Sequence, residues 1–277
     1  MHRSWAFILM LMVLTLSTLS AEAESVTFSA EVIHPQDERT SFVVEVVDQE
    51  KSTGKVRRVL IYHTHTYEAY EQTADAPYPQ TEKWRTTDNE HNVVAVGEAL
   101  TASLRAAGIQ VEHDKTAFEP PNMDDAYSRS LHMLEERLAK GEEYDLYIDL
   151  HRDALASTST IARTVNIAGQ DVARFMLLIG KGTTGGYDIK PDWEANLAIA
   201  NSITQRLNQY HASLARNVKI KTGRFNQHID DCCILIECGM NTNTLEEVLA
   251  GIPYLADAIA QTLLEKENPT SPSDAGR

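Results

Sequence analysis

Apolar residues recur along the chain with two different periods. Spacings of three and four residues predict amphipathic helices over residues 92–107, 127–138, 193–210 and 248–263, the last of them kinked or restarted at Pro253. Between these segments lie short runs that are apolar on both faces, including "RVLIYHTH", "YDLYIDLHRD" and "CCILIECG". Such strands, alternating with helices, are typical of parallel sheets that helices cover on both sides. The pattern therefore predicts an α/β fold, a three-layer sandwich with a mostly parallel central sheet.

The two ends of the chain differ from this central part. Residues 1–23 have a basic start, an apolar core and a small-x-small ending, which predicts a secretory signal cleaved after Ala23; an uncleaved membrane anchor is the alternative. Both versions predict an extracytoplasmic location, with membrane contact only through an uncleaved N-terminal segment. Residues 24–58 alternate as strands or extended arms, and residues 267–277 form a polar tail that we expect to be disordered.

Net charge limits the classes of binding partner, and the cysteine positions indicate whether disulfides are expected. The formal net charge is −15. An acidic surface repels phosphate backbones, so we expect no nucleic-acid partner, and recognition of an anionic wall polymer would be local to a cleft. Cys232, Cys233 and Cys238 lie too close together in sequence for a disulfide framework and predict buried free thiols.

Three of the apolar strands end in residues that bind metals or transfer protons. The strand "VLIYHTH" ends at His65, "LYIDLH" ends at His151, and "ILIE" ends at Glu237. Ligands of open α/β sheets bind at the carboxyl ends of the strands. We therefore expect these side chains to share one cleft.

The spacing within this set indicates a zinc site. His65 and Glu68 are three residues apart and can reach one ion, and His151 completes a set of two histidines and one carboxylate. Such a set leaves one tetrahedral position of Zn²⁺ open for water. We predict one Zn²⁺ per chain, with Asp88 as the alternative third ligand. Glu237 then remains as the general base.

Other polar residues near these motifs receive secondary roles. Arg152 follows His151 and is expected to stabilise an oxyanion or bind a substrate carboxylate. His63 is expected to point away from His65 and to support the site or bind substrate. Asp149 precedes His151 by two residues and is expected to orient a ligand. His113 is expected to be structural or exposed.

A polar segment without periodicity, "EQTADAPYPQTEKWRTTDNE", follows the first of these strands. A loop of this length in a compact domain is commonly functional. We predict that residues 71–90 form a functional loop or lid beside the site.

The motifs together resemble a known family. The segments "LIYHTHTYEAY", "NVVAVGEAL", "YDLYIDLHRDA", "DWEANLAIANSI", "RFNQHI" and "ILIECGMNTNTLEEV" are similar, in order and spacing, to the SpoIIP family of sporulation cell-wall hydrolases. The resemblance extends from about Val59 to Ala260. This chain departs from the family pattern at Tyr67, where Ser is usual, and at Cys238, where a Val-like residue is usual.

The resemblance implies a zinc-dependent N-acetylmuramoyl-L-alanine amidase acting on peptidoglycan, with an associated cross-link endopeptidase activity and a SpoIID-like lytic transglycosylase as partner. It implies an amidase-like catalytic domain over residues 59–266. His65 and His151 then match the metal histidines, and Glu237 matches the catalytic glutamate. Residues in motif positions that line the cleft, and thus substrate-binding candidates, are Asn226, Gln227 and Asn243.

Two other functions compete with this interpretation. A zinc carboxypeptidase or endopeptidase acting on cell-wall peptides could use the same residues, and an arginine that binds a free carboxylate terminus, with Arg152 as the candidate, would favour it. A non-catalytic wall-binding module would have lost part of the ligand set, whereas the full set is present here.

Overall fold

A computed structural model describes two strands near the N-terminus and, beyond them, residues 55–156, 158–183 and 193–265. The chain divides into two compact units, Met1–Gly54 and Lys55–Arg277. In the first unit, β1 (Thr27–Ile33) pairs antiparallel with β2 (Arg39–Glu45), as expected for two extended arms. The predicted signal segment and the predicted polar tail lie outside the described residues.

The second unit contains most of the secondary structure. Its strands are β3 (Arg58–Tyr62), β4 (Gln110–His113), β5 (Leu146–Asp153), β6 (Thr164–Ile167), β7 (Gln170–Ala173), β8 (Phe175–Gly180), β9 (Lys219–Lys221) and β10 (Cys233–Met240). Its helices are α1 (Val93–Ala106), α2 (Ala126–Ala139), α3 (Trp193–Tyr210), α4 (Leu245–Leu249) and α5 (Ile252–Glu265), with one 3-10 turn at Gln227–Ile229.

The central sheet has six strands in the order β4-β3-β5-β10-β8-β9. The first four run parallel, β8 runs antiparallel to β10, and β9 runs parallel to β8. A separate antiparallel pair is formed by β6 and β7. The predicted α/β class with a mostly parallel central sheet is confirmed.

Helices cover both faces of the sheet. His63 lies against Gly97 of α1, whereas the next residue, Thr64, bonds to Ser130 of α2 with 2.9 Å between the two hydroxyl oxygens. Helix α1 connects β3 to β4, and α2 connects β4 back past β3 to β5. Right-handed crossovers that run in opposite directions along a sheet lie on its opposite faces, so α1 and α2 lie on opposite sides. Helix α5 packs against both α1 and α3. The buried core is therefore formed on each side of a sheet whose central strands are apolar on both faces.

Helix boundaries agree with their sequence signals. The carboxamide of Asn92 caps α1 by accepting from the backbone of Val94, and Gly108, in a left-handed conformation, ends the turn after the helix. The predicted last helix is interrupted: α4 ends before Gly251, and Pro253 lies in the first turn of α5, where its missing N–H costs no helical hydrogen bond. The prediction that the helix restarts near Pro253 is confirmed.

No helix in the described part of the chain has the length and hydrophobicity needed to cross a membrane.

Candidate active site

The carboxyl ends of three neighbouring strands bring the predicted site residues together. His151 lies in β5, and in the sheet register it stands directly beside Glu237 of β10. His65 follows β3, on the other side of β5, and its ring centroid is 5.3 Å from that of His151 at an interplanar angle of 85°. Parallel neighbours end at one edge of the sheet, so the topology itself produces this cluster.

His151 lies between two carboxylates. Its Nδ1 is 3.3 Å from Oε2 of Glu68, and its Nε2 is 2.9 Å from Oδ1 of Asp149. Burial favours the neutral ring, but the two carboxylates outweigh it and raise the pKa of His151 well above its ordinary value. Asp149 is itself held by the backbone N–H and the hydroxyl of Thr64, at 2.8 and 2.7 Å. Its position fits the predicted role of orienting a ligand.

Glu68 is buried and ionised. Burial by itself would raise its pKa, but the hydrogen bond and charge of His151, with the charge of Arg152, lower the pKa to about 2. Its Oε2 also accepts from the backbone N–H of Arg152 at 3.1 Å. For His65, burial and the neighbouring His151 lower the pKa, so its ring is neutral and a nitrogen lone pair is available.

The pKa of Glu237 is shifted in the opposite direction to that of Glu68. Burial raises its pKa to about 8, the carboxylates of Glu68 and Asp153 add to this, and His151 opposes it. A carboxyl group with a pKa near neutrality can both accept and return a proton under working conditions.

Two polar atoms of this cluster are buried and make no hydrogen bond to any described residue: His65 Nδ1 and Glu237 Oε2. Buried polar atoms in folded proteins are nearly always satisfied, so a group of such atoms in one place calls for a ligand or ion. Imidazole nitrogens and carboxylate oxygens are ligands that Zn²⁺ prefers. The chemistry of these residues thus fits a zinc ion.

The ligand atoms of His65, Glu68 and His151 do not all lie within 4.8 Å of one another. Among the described residues, the three-residue set that meets this distance is Asp230, Asp231 and Cys232, which precede β10 and lie at its other end from Glu237. The three predicted ligands are therefore neighbours in a cluster and not a closed coordination sphere.

Asp88, the alternative ligand, is engaged elsewhere. Its Oδ2 is 2.9 Å from Nδ1 of His91, and its Oδ1 accepts from the backbone N–H of Glu90 at 3.0 Å. These contacts order the turn before α1, and they favour Glu68 over Asp88 as the third carboxylate.

Arg152 does not have the free guanidinium that its predicted role requires. The side chain is buried, and it donates to the backbone carbonyls of Ala69 at 3.0 Å and Trp84 at 3.2 Å. Its contacts hold the loop that carries Glu68 and do not leave the fork open for an oxyanion or a substrate carboxylate.

His63 points away from the cluster. Residues two apart in a strand share a face, but β3 ends at Tyr62 and residues 64–67 form a turn, which directs His65 to the other side. Its ring is fully buried beneath α1, with Nδ1 2.9 Å from the carbonyl of Leu150 and Nε2 2.8 Å from Nε2 of His113. Substrate cannot reach this face of the sheet. The position does not support the predicted substrate-binding role of His63, and it shows that His113 is part of a buried pair.

The three amide residues expected to line the cleft are buried structural groups. Asn226 donates to the carbonyl of Tyr127 at 2.8 Å, and Gln227 bonds both the N–H of Gly180 and the carbonyl of Leu178, each at 2.9 Å. Asn243 accepts from the N–H of Met240 at 2.9 Å. These side chains bond to the backbone around the site, so their positions do not support substrate binding.

Two groups that the sequence interpretation missed lie beside the cluster. The ring of Tyr127, at the start of α2, contacts His65 edge-to-face with 5.5 Å between centroids. The buried carboxylate of Glu119 accepts from the N–H of Tyr67 at 3.0 Å and pairs with Arg85. In the sequence Tyr127 has the spacing of a core residue, and Glu119 precedes two prolines in a loop, so neither had a recognisable signal.

The predicted loop, residues 71–90, is packed beside the segment that carries Glu68. Residues Glu68 and Arg85 form an antiparallel bridge, and the N–H of Ala69 donates to the carbonyl of Trp84 at 2.8 Å. Tyr78 is buried, whereas residues 73–77 are exposed. The loop thus joins the site by its two ends and presents its middle to solvent.

Cys232, Cys233 and Cys238 are buried, as predicted.

Comparison with known proteins identifies relatives of the chain. The family model described as Stage II sporulation protein P (SpoIIP) matches residues 17–260. The chain is 26% identical over 228 residues to Stage II sporulation protein P of Bacillus subtilis (strain 168), an alignment that covers 78% of this chain and 54% of that protein. The chain therefore spans about half the length of that relative.

Among solved structures, the chain is similar to an N-acetylmuramoyl-L-alanine amidase from Clostridium difficile 630, with 16% identity, a TM-score of 0.46, and coverage of 79% of this chain and 100% of that one. It is also similar to the N-acetylmuramoyl-L-alanine amidase AmiC2 of Nostoc punctiforme, with 16% identity, a TM-score of 0.43, and coverage of 76% and 97%. Since the family model matches most of its length, the chain belongs to the Stage II sporulation protein P family.

Proposed function

We propose that the chain is a zinc-dependent peptidoglycan hydrolase that cleaves the amide between N-acetylmuramic acid and the L-alanine of the stem peptide. The observation that carries this proposal is the cluster of His65, Glu68, His151 and Glu237, with two buried polar atoms, His65 Nδ1 and Glu237 Oε2, that make no hydrogen bond to a described residue. Family membership supports an enzyme of the cell wall that acts outside the cytoplasm on peptidoglycan. A SpoIID-like lytic transglycosylase as partner is part of the proposal.

His65, Glu68 and His151 would hold the ion. A zinc ion bound in such a site polarises a carbonyl and makes a water molecule acidic near neutral pH. Asp149 supports this arrangement, because it lies beside Nε2 of His151 while Nδ1 of that ring faces Glu68. The backbone N–H of Arg152 holds the carboxylate of Glu68 in place.

Glu237 moves the proton in this scheme. Its carboxylate takes a proton from the attacking water and transfers it to the leaving nitrogen of the amide. Its raised pKa suits the second transfer, since a group that holds its proton near neutral pH can deliver it to the amine. A divalent cation nearby lowers this pKa and makes the first transfer possible as well.

The competing carboxypeptidase function loses its main support. That reaction needs a cation to bind the free carboxylate terminus of the peptide, and Arg152 was the candidate. Because Arg152 is buried and bonded to the carbonyls of Ala69 and Trp84, it does not present that group.

The test is the Glu237→Gln variant on purified peptidoglycan. We expect the wild-type protein to release new amino-terminal alanine without new reducing ends. The variant should retain one zinc per chain while amide cleavage falls by roughly 10²–10⁴, the usual contribution of a positioned proton-transfer group. Glu246→Gln, an exposed glutamate on α4, is the matched control and should keep the wild-type rate. Zinc loss from Glu237→Gln would make Glu237 a ligand, and a near-full rate would remove it from the mechanism.

A further inference from the structure

An aromatic side chain packs against one of the proposed zinc ligands. Tyr127 is the second residue of α2, and its ring meets that of His65 edge-to-face at an interplanar angle of 86°. Phe225 contacts the Tyr127 ring with 5.8 Å between centroids and an interplanar angle of 73°. Tyr127 is thus held between a proposed ligand and a second aromatic residue.

The surrounding backbone is shaped to hold this ring. Phe225 and Asn226 have φ values of 48° and 54°, a left-handed conformation that is uncommon in residues other than glycine. This turn places Phe225 on Tyr127 and lets the Asn226 carboxamide donate to the Tyr127 carbonyl at 2.8 Å. Two adjacent residues in a costly conformation, both directed at one tyrosine, indicate that the position of that tyrosine is important.

The hydroxyl of Tyr127 is available as a donor. It makes no hydrogen bond to any residue that the structure describes. A phenol keeps its proton throughout the neutral range, so this hydroxyl can donate to a carbonyl oxygen.

We propose that the Tyr127 hydroxyl donates a hydrogen bond to the carbonyl oxygen of the scissile amide as that oxygen gains negative charge. This inference rests on the proposed amidase function. It supplies the neutral donor that Arg152 cannot provide, because the Arg152 guanidinium is bonded to backbone carbonyls. A donor held in place before the reaction stabilises the developing charge without reorganisation, and removing one such donor typically lowers kcat by about 10²–10³.

The experiment compares Tyr127→Phe with the wild-type chain on a soluble N-acetylmuramoyl-L-alanyl peptide, with KM, kcat, zinc content and melting temperature measured for each. Phenylalanine keeps the ring on His65 and removes only the hydroxyl. We expect kcat to fall by about 10² with KM, zinc content and melting temperature unchanged. Tyr254→Phe, on α5 and far from the site in sequence, is the matched control and should leave all four unchanged.

Each other outcome overturns the inference in a recognisable way. A Tyr127→Phe variant with wild-type kcat would show that the hydroxyl takes no part. Loss of zinc or of thermal stability in parallel with kcat would show a structural role for the oxygen. Absence of cleavage by the wild-type protein would reject the amidase function first and the role of Tyr127 with it.

Discussion

Acidification between pH 6.5 and 4 should destabilise the fold through the buried pair of His63 and His113. Burial lowers the pKa of His113 from 6.5 to about 4 and that of His63 to about 3. The two Nε2 atoms lie 2.8 Å apart, and a Cβ at Gly97 would come within 2.8 Å of both rings, so α1 leaves no room for the pair to move apart. Nδ1 of His113 lies 3.7 Å from Oε2 of Glu98, and the charge of Asp114 opposes the shift, but burial outweighs them, so a proton added to either ring lowers stability.

The size of the effect follows from the pKa difference. In the unfolded chain His113 binds its proton below pH 6.5, whereas in the folded chain it does so only below about 4. The unfolded state binds more protons in this interval, so stability is fully present above pH 6.5 and is lost as pH falls. At 1.36 kcal/mol per pKa unit, a difference of 2.5 units gives about 3 kcal/mol, of which about 2 kcal/mol is lost by pH 5.

The assay is urea unfolding of the wild-type chain and of His113→Gln at pH 7.5, 6, 5 and 4.5. Glutamine can donate to His63 but does not titrate, so the loss of stability on acidification should shrink by about 2 kcal/mol at pH 5. His132→Gln, an exposed histidine on α2, should leave the wild-type dependence unchanged. Identical pH dependence of wild type and His113→Gln would refute the assignment of the buried neutral ring.

Two further predictions concern the surroundings of the site. Asn243→Ala removes the acceptor for the Met240 N–H and should lower the free energy of unfolding by about 1–3 kcal/mol, with zinc content and the kcat of the folded protein unchanged. Loss of peptidoglycan binding at unchanged stability would instead restore the substrate-binding role of Asn243. Deleting the exposed residues 73–76 should leave the free energy of unfolding in urea within about 0.5 kcal/mol of the wild-type value. The deletion should lower turnover of intact peptidoglycan more than turnover of a soluble muramoyl peptide. An equal effect on both substrates would argue against a lid that contacts the polymer.

The layers of the fold were predictable because they depend on periodicity. The third helix begins at Trp193 and ends at Tyr210, as predicted, since a long apolar stripe at helical spacing has no other stable structure. The short strands β7 and β9 were missed. Residues Lys219–Lys221 are exposed and charged at both ends, and they form a strand only because β8 offers a free edge.

The cluster at the strand ends was also predictable, because the topology of a parallel sheet fixes where strand ends meet. The roles of the surrounding side chains were not. Gln227 and Asn243 lie in polar motifs, which suggest ligand contact, but the structure uses them to bond backbone groups that the sheet leaves unpaired. Tyr127 is the reverse case, because its helical spacing suggests the core while its ring packs against His65 of the site.

The anchoring of the segment that carries His65 and Glu68 has a consequence for how the proposed zinc ion would be exchanged. Its backbone is bonded to Glu119 through the N–H of Tyr67, to Trp84 through Ala69, and to Asn243 through Glu71. Three independent anchors keep the segment in place whether or not a cation is present. Small zinc domains, by contrast, are unfolded without their metal. An ion removed by a chelator could thus return to a site that has kept its shape, and the rate of reactivation would be set by diffusion and desolvation rather than by refolding.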